Sequence, residues 1–447
     1  MVINRKAYRQ ILEWKNQRQG KTALLLNGAR RVGKSFLINL FGKNEYKNMI
    51  FIDFSNPPKD VINIFRDDSH DIPLFLSKLS IYYQVRLLRR ESLIVFDEVQ
   101  LYPHARQLIK HLVADGRYDY IESGSLLSLK ENVKDILLPS EEEILEIYPL
   151  DFEEFLNAKS DYITIPFIKD CFERRQPPGQ TLHRRILTDF RVYMLIGGMP
   201  QAVAEYLESH SFEAADQVKR TILSLYRRDI AKYAGVYKSK VTAIYDNIPS
   251  QLSKREKKYK LSSIDKDARL RAYEDAFMWL SDGMIVNPCF NATDPGYGLS
   301  LSMDHNTQKI YMSDTGLLVT HTFWNRSYTG NELYKAILFD KININEGMLM
   351  ENIVSQMMKV NAHRLFFYSR VDTNKRENNM EIDFLLTHQN KISPVEVKSS
   401  VYKQHSSLNK FMEKFKQKLG EPFILYQKDL LVKDGVTHLP LYMAMFL

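Results

Sequence analysis

The chain has 447 residues, is 44% hydrophobic and 26% charged, and carries a formal net charge of +8. That composition is ordinary for a globular protein, and at roughly 100–200 residues per domain the length allows two to four domains. With 18 Gly and 16 Pro, collagen-like and low-complexity classes are excluded. The two cysteines, Cys171 and Cys289, are 118 positions apart, which makes neither a disulfide framework nor a zinc spacing, and such sparse cysteine use fits a reducing compartment. Met1 to Lys6 carries no apolar signal-peptide run, and no stretch approaches the ~18 apolar residues of a spanning helix. A cytoplasmic protein with no membrane partner is expected.

Residues 5–18 read as a polar helix with Ile11, Leu12 and Trp14 as apolar contacts. Ala23 to Leu26 is an apolar run too short for a helix, and so a buried strand. A Gly-containing loop and a helix from Lys34 to Phe41 follow. Met49 to Phe54 is a second strand, closed by Asn56-Pro57-Pro58. A long helix is predicted over 72–90, a third strand at Leu93 to Phe96, a helix at 104–113, a fourth strand near 118–123, and a fifth at Ile144 to Ile147. Short strands alternating with helices predict a doubly wound parallel α/β sheet over about 20–150. In such sheets the functional groups sit at the carboxyl ends of the strands. Residues 151–215 read as helical, interrupted at Gly197-Gly198-Met199-Pro200. Helices continue from 216, followed by β-like runs at Met284 to Val286 and Lys309 to Met312, an order that fits a winged helix. A helix at 346–360 and several strands complete the chain.

Gly28-Ala29-Arg30-Arg31-Val32-Gly33-Lys34-Ser35 matches the phosphate-loop pattern GxxxxGK[ST]. It follows a strand and opens a helix, as that chemistry requires. Glycines let backbone N–H groups turn toward phosphate oxygens, and the helix N-terminus adds partial positive charge. Gly28, Arg31, Gly33, Lys34 and Ser35 are the candidate nucleotide-binding residues, with Lys34 placed to reach the β- and γ-phosphates and the Ser35 hydroxyl to ligate magnesium. The partner acid is expected after an apolar strand, and Leu93 to Phe96 ends in Asp97-Glu98, with Asp97 placed 63 residues after Lys34. Asp97 is the magnesium-side carboxylate and Glu98 the general base toward the attacking water. The fourth strand ends Ser123-Gly124-Ser125. Ser125 is the candidate γ-phosphate sensor, although a turn-forming serine gives the same pattern. Arg117, Arg191, Arg227 and Arg228 are all candidates for neutralising transition-state charge, and the sequence does not choose among them.

Near the carboxyl end, Glu351 lies in a helix-like stretch, Asp383 in a strand, and Glu396 and Lys398 two apart on the next strand. Alternation puts Glu396 and Lys398 on one face. Glu351, Asp383 and Glu396 are candidate magnesium ligands, and Asp383, Glu396 and Lys398 candidate catalytic groups toward a phosphodiester. A half-buried strand with a solvated face gives the same short pattern. Residues 216–260 hold 12 Lys/Arg and 4 acids, a net of +8, so the other 402 residues sum to zero. This segment is the expected contact for nucleic acid.

Taken in order, these motifs resemble a known family. They include Phe96-Asp97-Glu98-Val99-Gln100, Tyr148-Pro149-Leu150, Gly197 to Pro200, Arg228-Asp229-Ile230, Tyr311 to Leu317, Glu351-Asn352, Glu381 to Phe384 and Val395 to Ser400. The family is that of prokaryotic AAA-type ATP-binding proteins whose C-terminal domain, of unknown function, resembles restriction endonucleases. The resemblance implies a P-loop ATPase core (1–150), a helical lid (151–215), a winged-helix-like domain (216–325) and a PD-(D/E)xK nuclease-like domain (326–447), with ATP and magnesium as cofactors. Similarity to STAND-type switch ATPases implies that Gly198 and Pro200 pack against the nucleotide. Two functions follow. One is an ATP-driven enzyme acting on nucleic acid with a metal-dependent nuclease site. The other is an ATP-switched binding or signalling protein whose nuclease-like domain only recognises a partner. Oligomeric state stays open.

Overall fold

The computed structural model describes residues 3–124, 139–254, 257–264, 269–296, 298–324, 331–338, 346–371, 379–388, 390–399 and 406–447. The chain divides into two units, residues 2–148 and 149–447.

The first unit begins with α1 (Lys6–Arg18), β1 (Ala23–Gly28), α2 (Lys34–Glu45) and β2 (Asn48–Asp53), then α3 (Lys59–Asp68) and α4 (Ile72–Tyr82). It ends with β3 (Ser92–Asp97), α5 (Pro103–Asp115), β4 (Asp119–Gly124) and β5 (Glu142–Ile147). These strands pair in the order β2-β3-β4-β1-β5, and every pairing is parallel. Successive residues of a strand face opposite sides. Ala23 and Leu25 therefore join the core under α3, α4 and α5, while Leu24 and Leu26 join the core under α1 and α2. Burial on both faces is why β1 and β3 read as unbroken apolar runs. The helix expected over 72–90 ends at Tyr82, and a separate helix, α3, precedes it. Gln84 and Arg90 have φ of 52° and 59°, left-handed values that no α-helix accommodates.

The second unit opens with α6 (Phe152–Ala158), α7 (Thr164–Arg174), α8 (Gln180–Ile196), α9 (Pro200–Ser209), α10 (Phe212–Tyr233), α11 (Lys238–Leu252), α12 (Glu274–Asp282) and, after the strands β6 (Val286–Ala292) and β7 (Met303–Met312), α13 (Thr315–Thr322). Then come α14 (Asn331–Leu338), α15 (Glu346–Val360), β8 (Leu365–Arg370), β9 (Met380–His388), β10 (Lys391–Val397), α16 (Ser406–Lys414), β11 (Phe423–Tyr426), β12 (Leu431–Lys433) and β13 (Val436–Pro440). The strands form one sheet in the order β12-β13-β11-β10-β9-β8-β6-β7. β8, β9 and β10 run as an antiparallel meander, and β11 lies parallel to β10 after the crossover through α16. The β6–β7 hairpin expected in the winged-helix segment joins this same sheet, because β6 pairs in parallel with β8. α15 packs against β6, β7, β8 and β10. Among the described residues no helix is long and apolar enough to cross a membrane.

Candidate functional site

Seven of the predicted nucleotide-site residues, Gly28, Arg31, Gly33, Lys34, Ser35, Asp97 and Glu98, lie at the carboxyl ends of β1 and β3. β1 is buried throughout and delivers Gly28 to the turn. A Cβ on Gly28 would lie 2.5 Å from the Ile147 carbonyl oxygen, so the tight start of the loop needs glycine. Arg31 and Gly33 adopt φ of 68° and 97°, and Gly33 sits just before α2. Lys34 is buried, and its ammonium donates to the carbonyls of Gly28 at 2.8 Å and Ala29 at 3.2 Å. Burial pushes its pKa down, opposed by the nearby charges of Glu98 and Asp97.

Asp97 gathers the site. Its Oδ1 accepts from the Ser35 hydroxyl at 3.1 Å and from the Ser123 hydroxyl. Burial raises its pKa, the two hydroxyl donors pull it back, and the charges of Glu98 and Asp53 raise it again. Glu98 has φ of 53°, and its Oε2 accepts from Gln100 Nε2 at 2.5 Å. The Ser35 hydroxyl and the Asp97 carboxylate are adjacent hard oxygen donors, which suit a magnesium ion that takes its remaining ligands from water and phosphate.

Ser125, the expected sensor, lies outside the described residues. The β4 hydroxyl that reaches the site is Ser123, fully buried and two positions earlier. Its signal was its place at the end of β4, the strand between β1 and β3. Arg117 precedes β4, at the opposite end of the strand from Ser123, and is paired with Asp115 at 2.7 Å.

Gly198 and Pro200 lie in the second unit. The Gly198 N–H donates to Asp314 Oδ2 at 2.6 Å, and its carbonyl accepts from Leu150 N at 2.7 Å. Pro200 opens α9, where a missing N–H costs nothing.

The C-terminal acids do meet, but around an ammonium. Lys309 Nζ is 2.8 Å from Glu381 Oε1, 3.5 Å from Asp383 Oδ1 and 3.8 Å from Glu351 Oε2. Glu351 also pairs with Lys257 and accepts from the Tyr311 hydroxyl at 2.9 Å. Burial raises the pKa of Glu351, and the charge of Asp383 adds to it while the two lysines oppose. Asp383 Oδ2 accepts from Val397 N at 2.9 Å. Glu396 pairs with Lys398 at 2.8 Å. Among the described residues no group of three His, Cys, Asp or Glu side chains is arranged to hold a metal ion. The donor set expected for magnesium, Glu351, Asp383 and Glu396, is thus engaged with lysines.

The basic segment is only partly a surface. Lys219 is fully buried and donates to the carbonyls of Leu195 at 2.7 Å and Gly316 at 3.3 Å, and burial pushes its pKa down to about 8. Lys257 is buried on Glu351, and Arg227 pairs with Asp246 at 2.6 Å. Arg228, Lys232, Lys238 and Lys260 are exposed. Arg255 lies outside the described residues.

The fold and the loop geometry define an α/β protein with a P-loop parallel sheet and a second, mixed sheet. A family model described as "AAA domain" matches residues 20–156. Two domains of unknown function match further on, DUF8612 over 187–328 and DUF4143 over 346–443. A comparison with curated proteins gives no match. Among solved structures the chain is similar to the Aeropyrum pernix ORC1 protein in complex with DNA, at 14% identity over 73% of this chain and 94% of that one, with a TM-score of 0.28. It is similar to a STAND protein with a tetratricopeptide repeat sensor from Pyrococcus horikoshii, at 11% identity over 80% of this chain and 48% of that one, with a TM-score of 0.28. It is also similar to Cdc6p from Pyrobaculum aerophilum, at 10% identity over 76% of this chain and 94% of that one, with a TM-score of 0.26.

Proposed function

We propose that the chain binds ATP with magnesium at the P-loop, hydrolyses it, and uses the cycle to switch a carboxyl-terminal recognition unit. The observation that carries this is the convergence of the Ser35 and Ser123 hydroxyls on Asp97, which links the phosphate loop, β3 and β4 at one point. On ATP binding, phosphate oxygens take the Lys34 ammonium from the loop carbonyls. Ser35 and Asp97 would hold the metal, whose charge would offset that of the phosphates. Glu98, released from Gln100, orients the attacking water and takes its proton. Ser123 reports the change in charge at Asp97 to β4. Residues 151–215 serve as the lid carrying Gly198 and Pro200, and residues 216–325 as the winged-helix-like part.

The test is ATP turnover and nucleotide binding by the full chain beside Lys34→Ala and Glu98→Gln. Lys34→Ala is expected to lose both, and Glu98→Gln to bind ATP without turning it over. Undiminished turnover in Lys34→Ala would sink the proposal.

The order α15-β8-β9-β10-α16-β11, with its meander and one parallel strand, supports reading the carboxyl-terminal part as nuclease-like. The lysines among its acids favour recognition over cleavage, with a polyanion such as nucleic acid as the partner of the basic segment.

A further inference from the structure

The acids of the carboxyl-terminal part have a cation among them, and it belongs to the chain. Lys309 sits in the half of β7 next to α13, where five successive residues are buried. Its side chain is 1% exposed. The ammonium faces Glu381 and Asp383 on β9 and Glu351 on α15, and it lies 5.0 Å from the centroid of the Phe367 ring on β8. An isolated ammonium in such a place would cost several kcal/mol. The three carboxylates offset that cost, so the lysine needs them as much as they need it.

A divalent ion would have to occupy this same ground. Magnesium and calcium need carboxylate oxygens at about 2.0–2.6 Å, and Glu351 and Asp383 are the two acids expected to supply them from helix and strand. Glu351 Oε2 and Asp383 Oδ1 already face Lys309, Glu351 Oε1 is taken by Lys257, and Asp383 Oδ2 by the Val397 N–H. The third expected ligand, Glu396, is paired with Lys398. An incoming ion would take Glu351 from Lys257 and both Glu351 and Asp383 from Lys309, leaving the buried Lys309 ammonium with Glu381 alone of its three carboxylates, and breaking a buried pair in this way is expensive.

The two lysines and the acids come from different parts of the chain. Lys257 and Lys309 lie within the segment matched by DUF8612 (187–328), and Glu351, Glu381 and Asp383 within that matched by DUF4143 (346–443). The cluster therefore fastens one segment to the other along α15, β7 and β9.

We propose that Lys309 is a built-in cation filling the carboxylate cluster of the C-terminal sheet, so that this site takes no divalent ion and instead joins the two segments. This goes beyond the nucleotide-driven switch and does not depend on ATP hydrolysis.

The experiment uses the full chain without nucleotide, carrying Asp97→Asn to remove the P-loop metal site, and follows bound Mn²⁺ by electron paramagnetic resonance and the Tm with and without Mn²⁺. The parent is expected to show no Mn²⁺ that Asp383→Asn removes, and a Tm that Mn²⁺ leaves unchanged. Lys257→Met/Lys309→Met, which removes both ammonium groups from the acids, is expected to gain one bound Mn²⁺, lost again on adding Asp383→Asn. Mn²⁺ bound by the parent and lost with Asp383→Asn overturns the proposal, as does a folded double variant that binds none. If the double variant does not fold, the parent decides: a Tm that rises with Mn²⁺ in the parent and not in Asp383→Asn overturns it, and a Tm whose response to Mn²⁺ is the same in both upholds it. ATP binding is measured separately with Asp97 intact, so failure of the ATPase reading leaves this result standing.

Discussion

The Ser35 hydroxyl lies 3.1 Å from Asp97 Oδ1, although Ser35 belongs to α2 and Asp97 to β3 and β4 separates β3 from the strand that leads into the loop. In the proposed function these two oxygens would hold the metal. Ser35→Ala and Asp97→Asn should each lower ATP turnover by about 100-fold or more, the scale of losing one preorganised charge-stabilising group. Phosphate release at saturating ATP and magnesium measures it. Turnover within a few-fold of the parent in both variants would remove this pair from the site.

Ser123 gives a sharper test of the same network. Its hydroxyl donates to Asp97, and the Glu98 N–H approaches the same oxygen at 3.5 Å. Ser123→Ala should slow turnover by roughly 10-fold or more while nucleotide affinity is kept, because the group acts on the arrangement around the reacting phosphate and not on ground-state binding. Ser125→Ala is the comparison. A large loss there, with Ser123→Ala unaffected, would return the sensor role to Ser125.

The contrast between these serines shows what a sequence carries. The P-loop was legible because its motif is contiguous and strand, loop and helix fall in register around it. β1 and β3 were legible because burial on both faces leaves an apolar run. The helix over 72–90 was misread because Val85 and Leu87 still pack on the core after Tyr82, so apolar spacing continued where the backbone did not. Lys309 was invisible as a cation in the acid cluster. It lies 42 positions before Glu351, and only the pairing of β6 with β8 brings β7 to that sheet. The charge count over 216–260 likewise could not separate Lys219 and Lys257, which are buried, from cations that meet solvent.

Within the first unit, Glu122 on β4 is fully buried, and Arg106 on α5 forks onto Glu142 of β5 at 3.0 and 2.6 Å. Burial, and then the neighbouring Glu142, hold the Glu122 pKa well above the ordinary carboxylate range. The folded chain therefore keeps a proton that the unfolded chain releases. Its contribution to stability is complete below the ordinary carboxylate pKa and is lost as pH rises toward the folded value. Glu122→Gln should flatten this loss, so that urea unfolding shows the variant gaining on the parent between acid and neutral pH. Arg106→Met should instead cost about 3–5 kcal/mol by leaving the Glu142 carboxylate buried without its partner. A parent whose stability does not fall over this pH range relative to Glu122→Gln would refute the assignment.

Gly198 is constrained by backbone. A Cβ there would lie 2.1 Å from the Leu150 carbonyl oxygen and 2.8 Å from Leu150 N, in a pair already closed by the Leu150 N–H to Gly198 carbonyl bond. Neither side can move without breaking that bond or the one to Asp314. Gly198→Ala should destabilise the second unit by about 1–3 kcal/mol or more, the usual cost of overpacking. Gly179→Ala and Gly435→Ala are the controls, since neither meets an atom within 4 Å, although their φ of 87° and 74° makes each mildly strained. Thermal unfolding should rank Gly198→Ala as the least stable of the three. Equal Tm values would show that the Leu150 contact yields more readily than its geometry implies.

The exposed part of the basic segment makes the last test. Lys219 and Lys257 are committed inside the fold, so neutralising Lys257 would disturb Glu351 before it disturbed any ligand. Arg228, Lys232 and Lys238 are exposed at the end of α10 and the start of α11, with Lys260 exposed further on. If these groups grip a phosphate backbone, reversing Arg228, Lys232 and Lys238 to Glu should weaken DNA or RNA binding by 10-fold or more at low salt. The slope of log affinity against log salt should also fall by about 0.7–0.9 for each phosphate no longer neutralised. ATP turnover without nucleic acid is read in Lys232→Glu/Lys238→Glu, which keeps Arg228, a candidate for transition-state charge, and should stay at the parent level because neither lysine belongs to the P-loop, β3 or β4. Fluorescence anisotropy across a salt series reads both quantities. An unchanged salt slope in the triple variant would show that the polyanion, if bound, is held elsewhere, and the exposed charges of 216–260 would then be solvated surface groups alone.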